Sequence, residues 1–210
     1  MKPGTERIAA LLALMGDPHR SYPAIHIAGS NGKTTTARLA ASLLAAHGLK
    51  AGLFTSPHLQ AVEERFAIAG DPMTPDQLGP ALEDVLPFAE VYEQRTGDGI
   101  TYFELTAALA FSWFASQAVD AAVVEVGLGG RLDATNVLEA AVAVITSISL
   151  EHTEYLGNTL AAIAGEKATI LAPGRTLVTG HLPDEALQVA GQRAAENGCA
   201  WLRLGHDFTV

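Results

Sequence analysis

The sequence predicts an α/β fold with a doubly wound, mainly parallel sheet. Three observations support this. Apolar segments of strand length alternate with helical segments along the chain. The segments AAVVEVG and AVAVITS are apolar on both faces, which is typical of strands buried between helices. A glycine-rich turn, GSNGK, joins the first predicted strand to a helix. Such a turn is able to bind phosphate, so the fold is expected to include a phosphate-binding loop.

The individual elements follow from the same alternation, with Gly and Pro at the turns. TERIAALLALMG has a helical pattern, PAIHIA is a mostly apolar strand, and an Ala/Leu-rich helix follows Lys33. The predicted helices span residues 4–15, 33–47, 75–95, 102–117, 159–170 and 184–197. The predicted strands span residues 24–28, 50–54, 120–126, 141–147, 175–179 and 200–204. The segments 55–62 and 69–80 are predicted to be loops, the second one at the surface.

Composition limits the classes of partner. The chain has 210 residues and a net charge of −10, which argues against nucleic-acid and membrane-surface partners. An anionic nucleotide remains possible, because backbone N–H groups and a metal ion are able to bind it. The single cysteine, Cys199, excludes an internal disulfide and fits a reducing cytoplasm. We expect no signal peptide, and LTAALAFSWFA is too short to span a bilayer.

The segment from Gly29 to Thr35 predicts a nucleotide phosphate site. The two glycines of GSNGKTT allow a tight turn, Lys33 supplies a positive charge, and the following helix contributes its N-terminal dipole. The hydroxyls of Thr34 and Thr35 are able to bind phosphate or a metal. The standard P-loop would have a glycine where this chain has Ile27, so the loop is a shortened form. A plain glycine turn with a helix cap is the alternative explanation.

Two further side chains are expected at the same edge of the sheet, because ligands of such sheets bind at the carboxyl ends of the strands. Glu125 ends the strand AAVVE and suits Mg²⁺, which prefers oxygen ligands. His152 follows the strand AVAVITS and is either a ligand or a structural residue. Considered alone, Ser56 is an ordinary turn residue and Lys167 forms an exposed ion pair with Glu166.

Several segments, in order, resemble the folylpolyglutamate synthase/dihydrofolate synthase family of the Mur-ligase-like superfamily. They are AGSNGKTTT, TSPHL, VEVGLGGRLDATN, ITSISLEHTEYLGNTLAAIAGEKATIL and TERIAALLALMGDPHR. The resemblance covers residues 5–208, and EVGLGGRLDATN is its most specific part. It implies the Mur-ligase-like central domain as the fold. It also implies an ATP-dependent ligase that joins glutamate to a pteroate or folate carboxylate through an acyl phosphate.

The resemblance also implies roles for particular residues. Gly29, Ser30, Asn31, Gly32, Lys33, Thr34 and Thr35 match the family's ATP phosphate site. Ser56, Glu125 and His152 match its Mg²⁺ ligands. By the same resemblance, Lys33, His152 and Lys167 are expected to be catalytic. Lys167 matches a lysine that the family carries as a carbamate. Phe103 and Asp133 match positions near the bound pterin. ATP and Mg²⁺ are the implied cofactors.

The resemblance further implies that residues 1–210 form the ATP-binding domain and that the family's C-terminal, glutamate-binding domain is absent from this chain. The chain alone is therefore expected to be inactive. We expect a cytoplasmic monomer whose partners are dihydropteroate or folate, glutamate and ATP. Two alternatives remain open. One is a Mur-like ligase acting on another carboxylate, since the pair Thr34-Thr35 resembles the Mur side of the superfamily. The other is a nucleotide-binding module without turnover.

Overall fold

The computed structural model describes residues 4–209. Residues 1–3 and residue 210 lie outside this range. Residues 1–3 begin the segment in which we expect no signal peptide. The helices are α1 (Glu6–Leu14), α2 (Lys33–Ala46), α3 (Pro75–Glu83), α4 (Leu86–Thr96), α5 (Tyr102–Ser116), α6 (Thr153–Leu156), α7 (Leu160–Lys167) and α8 (Asp184–Glu196). The strands are β1 (Ala24–Ala28), β2 (Ala51–Phe54), β3 (Phe66–Ile68), β4 (Asp71–Pro72), β5 (Ala121–Glu125), β6 (Val142–Ile145), β7 (Thr176–Thr179) and β8 (Ala200–Arg203). Short 3₁₀ turns span Pro18–Arg20, Val62–Arg65, Ala134–Val137 and Ala168–Ile170.

The strands form one sheet in the order β4-β3-β2-β5-β1-β6-β7-β8. All neighbouring pairs from β2 to β8 are parallel, whereas β3 and β4 extend the β2 edge in antiparallel fashion. The chain leaves β1 toward β2 on one side and later continues from β5 to β6 on the other side. The carboxyl ends of β5, β1 and β6 therefore surround the topological switch point, where open α/β sheets bind ligands.

Most predicted elements are present, but the region between β2 and α5 is more divided than predicted. The helix predicted over 75–95 is two helices, α3 and α4. Pro87 lies in the first turn of α4, where proline starts a helix readily and interrupts one that would continue through it. The predicted surface loop 69–80 contains β4 and the start of α3. The strands β3 and β4 and the helix α6 were not predicted, because elements of two to four residues show no periodicity.

The helices pack on both faces of the sheet. Ile25, Ile27 and Val123 point to the face that α2 covers, where they pack with Ala37 and Ala41. The opposite face supplies two larger clusters. One contains Ala24, Ala122 and Val124 with residues of α1 and α5, and the other contains Ala28, Ala143 and Ile145 with residues of α7 and α8. The doubly wound α/β prediction is thus confirmed.

Burial on both faces was also expected for each central strand, and β6 departs from this. Its residues Ala143 and Ile145 are buried, but Val142 and Val144, which point to the α2 side, are only partly buried. The reason is that α2 packs mainly over β1, β2 and β5, and only Val144 of β6 packs against its cluster. The apolar segment LTAALAFSWFA belongs to α5 and packs in the core. Within residues 4–209, no helix combines the length and apolar character that crossing a bilayer requires.

His26 is a fully buried polar residue in the middle of β1. Its Nε2 lies 2.8 Å from the Thr135 hydroxyl, and its Nδ1 has no partner among the described residues. Burial lowers the pKa of His26 to about 3, because an imidazolium cannot be hydrated there. His26 is therefore neutral in the folded protein at ordinary pH.

We predict that His26 destabilises the fold in acid. An unfolded histidine has a pKa near 6.5, so between about pH 6.5 and pH 3 the unfolded state binds more protons, and stability falls as the pH falls. Urea unfolding of the wild type and of His26→Gln measures this effect. From pH 7.5 to pH 5, the unfolding free energy of the wild type should fall by about 2 kcal/mol more than that of His26→Gln. A difference independent of pH would contradict a buried neutral imidazole.

Candidate active site

The phosphate loop lies at the carboxyl end of β1, as predicted. Residues 29–32 connect β1 to α2, which begins at Lys33 with Gly32 as its N-cap at a φ of 80°. Glycine is favoured at this positive φ because a side chain would be strained there. The first N–H groups of α2 have no partners within the helix and form an anion site together with the helix dipole. The Lys33 Nζ donates to the Gly29 carbonyl at 2.9 Å.

The loop is fixed by the segment that follows β6. The Ser30 N–H donates to the Ser147 carbonyl at 2.9 Å, and the Asn31 N–H donates to the Ser147 hydroxyl at 2.9 Å. In return, the Thr146 hydroxyl donates to the Asn31 carbonyl at 2.7 Å. A Cβ added to Gly29 would lie 1.9 Å from the Thr146 Oγ1, so only glycine fits this contact. Thr146 and Ser147 were not identified from the sequence. The hydroxyl-rich run TSIS, which begins directly after β6, was the signal that could have identified them.

Glu125 connects three elements at the end of β5. The Thr34 hydroxyl lies 2.8 and 3.0 Å from its two carboxylate oxygens, and the Ser56 N–H donates to Oε2 at 3.2 Å. Burial raises the pKa of Glu125, although the bonds from Thr34 and Ser56 lower it in part. The structure therefore brings the predicted ligands Ser56 and Glu125 together and adds Thr34 to them.

The donor set at Glu125 fits Mg²⁺. It consists of one buried carboxylate and the Thr34 hydroxyl, and Mg²⁺ at nucleotide sites typically uses one or two carboxylates with phosphate oxygens and water. Within residues 4–209 there is no group of three His, Cys, Asp or Glu side chains that could hold a metal without other ligands. A metal here would thus depend on the nucleotide for part of its coordination.

His152 lies on the other side of the phosphate loop. It is exposed, it precedes α6, and its φ of 44° is in the left-handed region, which is uncommon for a non-glycine residue. It lines a small cavity together with Lys33 and Lys167. Among the described residues, no hydrogen bond joins it to Glu125 or to Ser56. The structure thus brings His152 to the lysines of the site and leaves its role as a metal ligand a prediction.

Lys167 differs from the prediction made from its helix position. The expected exposed ion pair with Glu166 is wrong, because Lys167 is buried and Glu166 pairs with Arg131 at 3.0 Å. The Lys167 Nζ instead lies 2.9 Å from Glu151 and donates to the Gly29 carbonyl at 3.1 Å.

The environment shifts both members of this pair. Burial lowers the pKa of Lys167, while Glu151 opposes that change. Burial would raise the pKa of Glu151, but the hydrogen bond and the charge of Lys167 lower it overall. Glu151 was missed from the sequence because it lies on a loop and its partner is on another element.

An apolar cleft of about 520 Å³ opens beside the loop that follows β5. Both predicted substrate residues, Phe103 and Asp133, line it. Asp133 is held from several sides: Oδ1 accepts from the Thr135 N–H and hydroxyl, and Oδ2 accepts from the Leu128 N–H at 2.9 Å. Thr135 in turn contacts His26 in β1. Burial raises the pKa of Asp133, and these hydrogen bonds oppose the change.

Comparison with known proteins identifies the family. Residues 27–206 match the model of the Mur ligase middle domain. The chain belongs to the Mur ligase middle domain family. Over 99% of its length it is 42% identical to the dihydrofolate synthase/folylpolyglutamate synthase of Mycobacterium tuberculosis (strain ATCC 25618 / H37Rv). Over 97% of its length it is 40% identical to the folylpolyglutamate synthase of Lacticaseibacillus casei.

Solved structures of Mur ligase middle domain relatives agree with the fold. The M. tuberculosis folylpolyglutamate synthase complexed with ADP and AMPPCP superposes with a TM-score of 0.95 at 42% identity, covering 99% of this chain and 48% of that one. A complex described as FPGS with AMPPCP and folate superposes with a TM-score of 0.95 at 40% identity, covering 98% and 50%. The chain covers 45% and 48% of the two curated relatives, so it spans about half their length.

We predict that Lys33→Ala strongly weakens nucleotide binding and leaves the fold intact. Within residues 4–209 the Lys33 side chain donates only to the nearby Gly29 carbonyl, and it supplies charge to the anion site. Calorimetric titration with Mg²⁺·ATP should show affinity at least about tenfold weaker, with an unchanged melting temperature. Lys50→Ala is the control, because Lys50 is exposed and directly precedes β2, so it lies at the amino ends of the strands, away from the phosphate loop. A large fall in melting temperature would show that Lys33 is structural.

We also predict that Gly29→Ala destabilises the protein by about 1–3 kcal/mol, the usual cost of forcing a methyl group into a packed site. Thr146→Ala in the same chain should recover part of this loss, since the Thr146 hydroxyl is the nearest obstacle. Gly165→Ala is the control: it lies in α7, and its added Cβ meets nothing within 4 Å. Chemical denaturation measures all four proteins, and equal stability of Gly29→Ala and the wild type would contradict the close contact.

Proposed function

We propose that the complete protein containing these residues is an ATP-dependent ligase that joins glutamate to a pteroate or folate carboxylate. One observation carries the proposal. The phosphate loop, Glu125 and the cleft with Phe103 and Asp133 meet at the carboxyl edge of one sheet, in a chain 42% identical to a dihydrofolate synthase/folylpolyglutamate synthase. We also propose that it acts as a monomer in the cytoplasm.

The nucleotide end of the site has a defined set of residues. We assign ATP phosphates to the loop from Gly29 to Thr35 and to Lys33. Glu125, Ser56 and His152 would hold Mg²⁺, with the Thr34 hydroxyl beside them. When bound, Mg²⁺ would offset the negative charge of the phosphates. The proposal is supported by the geometry around Glu125 and by relatives solved with ADP and AMPPCP.

The reaction requires the acceptor carboxylate to approach the γ-phosphate. One carboxylate oxygen attacks the γ-phosphorus, the bond to the bridging oxygen breaks, and ADP leaves. The amine of glutamate then attacks the acyl carbon, loses a proton, and the tetrahedral intermediate collapses to the amide and inorganic phosphate. Lys33 would stabilise the negative charge of the phosphoryl group during its transfer. The cleft with Phe103 and Asp133 would hold the ring system of the acceptor.

We propose that Lys167 becomes a carbamate in the active protein. The neutral amine adds CO₂ and releases one proton to solvent to form the carbamate, and burial lowers the pKa of Lys167 toward the neutral form. In the described arrangement the ammonium pairs with Glu151 at 2.9 Å. A carbamate at this position would face a like charge, so it requires a bound cation between the two groups. The modified lysine would then be a ligand rather than a proton donor.

We predict that the complete protein releases phosphate when given ATP, Mg²⁺, glutamate and either dihydropteroate or tetrahydrofolate. The assay also decides between the two acceptors. If neither folate substrate yields phosphate and a Mur-type carboxylate precursor does, the proposed acceptor is wrong and the Mur-like alternative replaces it. Phosphate release with no acceptor at all would indicate an uncoupled ATPase.

A separate prediction concerns residues 1–210 alone, which we propose form the ATP-binding domain. Ligation in this reaction class needs a second unit that brings glutamate and closes the cleft against water. The 210-residue chain should therefore bind Mg²⁺·ATP weakly in calorimetry and show no ligation. A rate comparable to that of the complete protein would sink this domain assignment. Binding without turnover in the complete protein would instead favour a nucleotide-binding module.

A further inference from the structure

Arg65 is a buried arginine that has no carboxylate partner in the described part of the chain. It ends the 3₁₀ turn Val62–Arg65, and only 7% of its surface is exposed. Its Nε donates to the His58 Nδ1 at 2.9 Å. Among residues 4–209, no Asp or Glu forms an ion pair with its guanidinium, and its Nη1 and Nη2 donate no hydrogen bond to the protein.

This arrangement is unusual because buried charges in proteins are normally paired. A guanidinium offers five N–H donors in a planar fork, and here the fold uses one of them. Neither Nη atom is fully buried, so both remain accessible to a ligand. A cation in this state is prepared for an anion that comes from outside the chain.

The position of Arg65 indicates which anion. Arg65 lines an opening of about 410 Å³, together with Ser56, Phe103 and Asp133. Ser56 belongs to the metal end of the proposed site through its bond to Glu125, whereas Phe103 and Asp133 belong to the acceptor cleft. Among the described residues that line this opening, Arg65 is the only cation.

Two contacts hold the guanidinium and leave its outer edge free. His58 accepts from Nε, which requires His58 to be unprotonated at Nδ1. The Cζ of Arg65 lies 5.5 Å from the centre of the Tyr102 ring, within cation–π range. Because Nε and one face are occupied, the Nη groups are the ones able to bind a carboxylate, the partner for which the arginine fork is best shaped.

We propose that Arg65 binds the carboxylate of the acceptor substrate and keeps hold of it during phosphoryl transfer. This assignment rests on the proposed function. Arg65 donates to one carboxylate oxygen while the other attacks the γ-phosphorus of ATP and ADP leaves. No proton leaves the guanidinium. Its charge reduces the repulsion between the carboxylate and the triphosphate, and it then faces the acyl phosphate until glutamate displaces phosphate.

The first test uses the complete protein with the variants Arg65→Gln and Arg65→Lys. Arg65→Gln should raise the KM for the acceptor by about 10- to 100-fold, as expected for losing hydrogen bonds to a charged group, and change the KM for ATP by less than about twofold. Arg65→Lys should recover part of the loss, because it restores the charge without the fork. Arg95→Gln, an exposed arginine in α4, is the control. Unchanged acceptor KM in Arg65→Gln would overturn the assignment.

The second test separates charge recognition from a structural role and from the identity of the acceptor. The probes are 4-aminobenzoate and its neutral methyl ester, with binding measured to the complete protein by ligand-observed NMR. The wild type should bind the acid more tightly than the ester, and Arg65→Gln should remove that preference. Equal weakening of both probes, or a wild type without preference, would overturn the assignment. If the preference depends on Arg65 but no folate substrate is ligated, the proposed function fails and the Arg65 assignment stands.

Discussion

The close approach of the Gly29–Asn31 backbone to the segment after β6 is the contact on which the proposed nucleotide site depends. It places the phosphate loop between two strands rather than leaving it as a free turn. Backbone donors of the loop reach Ser147, and Thr146 returns a hydrogen bond to Asn31. Because the loop is held in this way, the N–H groups at the start of α2 are already oriented before a ligand arrives, so less ordering is needed on binding.

The Gly29 carbonyl is also where two cations meet. The Nζ atoms of Lys33 and Lys167 both donate to it, although the two residues come from different helices. Glu151 offsets part of this positive charge through its pair with Lys167. An incoming nucleotide would thus meet one lysine already paired with a carboxylate, Lys167, and one, Lys33, that forms no ion pair with a carboxylate among the described residues. Lys33 needs only to exchange a local carbonyl for phosphate, whereas moving Lys167 would leave Glu151 without its partner.

The proposed acceptor side of the site is built on a different principle. Asp133 is fixed by Thr135 and by the Leu128 N–H, and Thr135 contacts His26 inside β1. Asp133, Thr135 and His26 are all buried, so the fold itself holds this carboxylate in place. Arg65 is the contrasting case, since the fold satisfies one of its donors and leaves the others to the opening between the two halves of the site. The hydrogen-bonded carboxylate of Asp133 thus supports the shape of the cleft, whereas the unpaired donors of Arg65 are the groups available to a ligand.

Much of the architecture could be predicted from local sequence. The strands β1, β2 and β5 to β8 were found within a few residues, since strand-length apolar runs and turn residues are local signals. Glu125 was placed correctly, because a carboxylate that ends a buried parallel strand must face the ligand edge. The elements β3, β4 and α6 were missed because they contain two to four residues.

The sequence by itself determined the α/β class, the glycine turn that leads into α2 and the edge of the sheet at which Glu125 lies, since each depends on residues close together in the chain. Only the tertiary structure decided the partners of the buried charges. Lys167 looked like an exposed partner of Glu166, but it contacts Gly29 across 138 residues. Thr135 reaches His26 across 109 residues, and the Ser56 N–H reaches Glu125 across 69. Helical spacing fixes which residues share a face, but burial depends on what packs against that face, and distant segments supply those contacts.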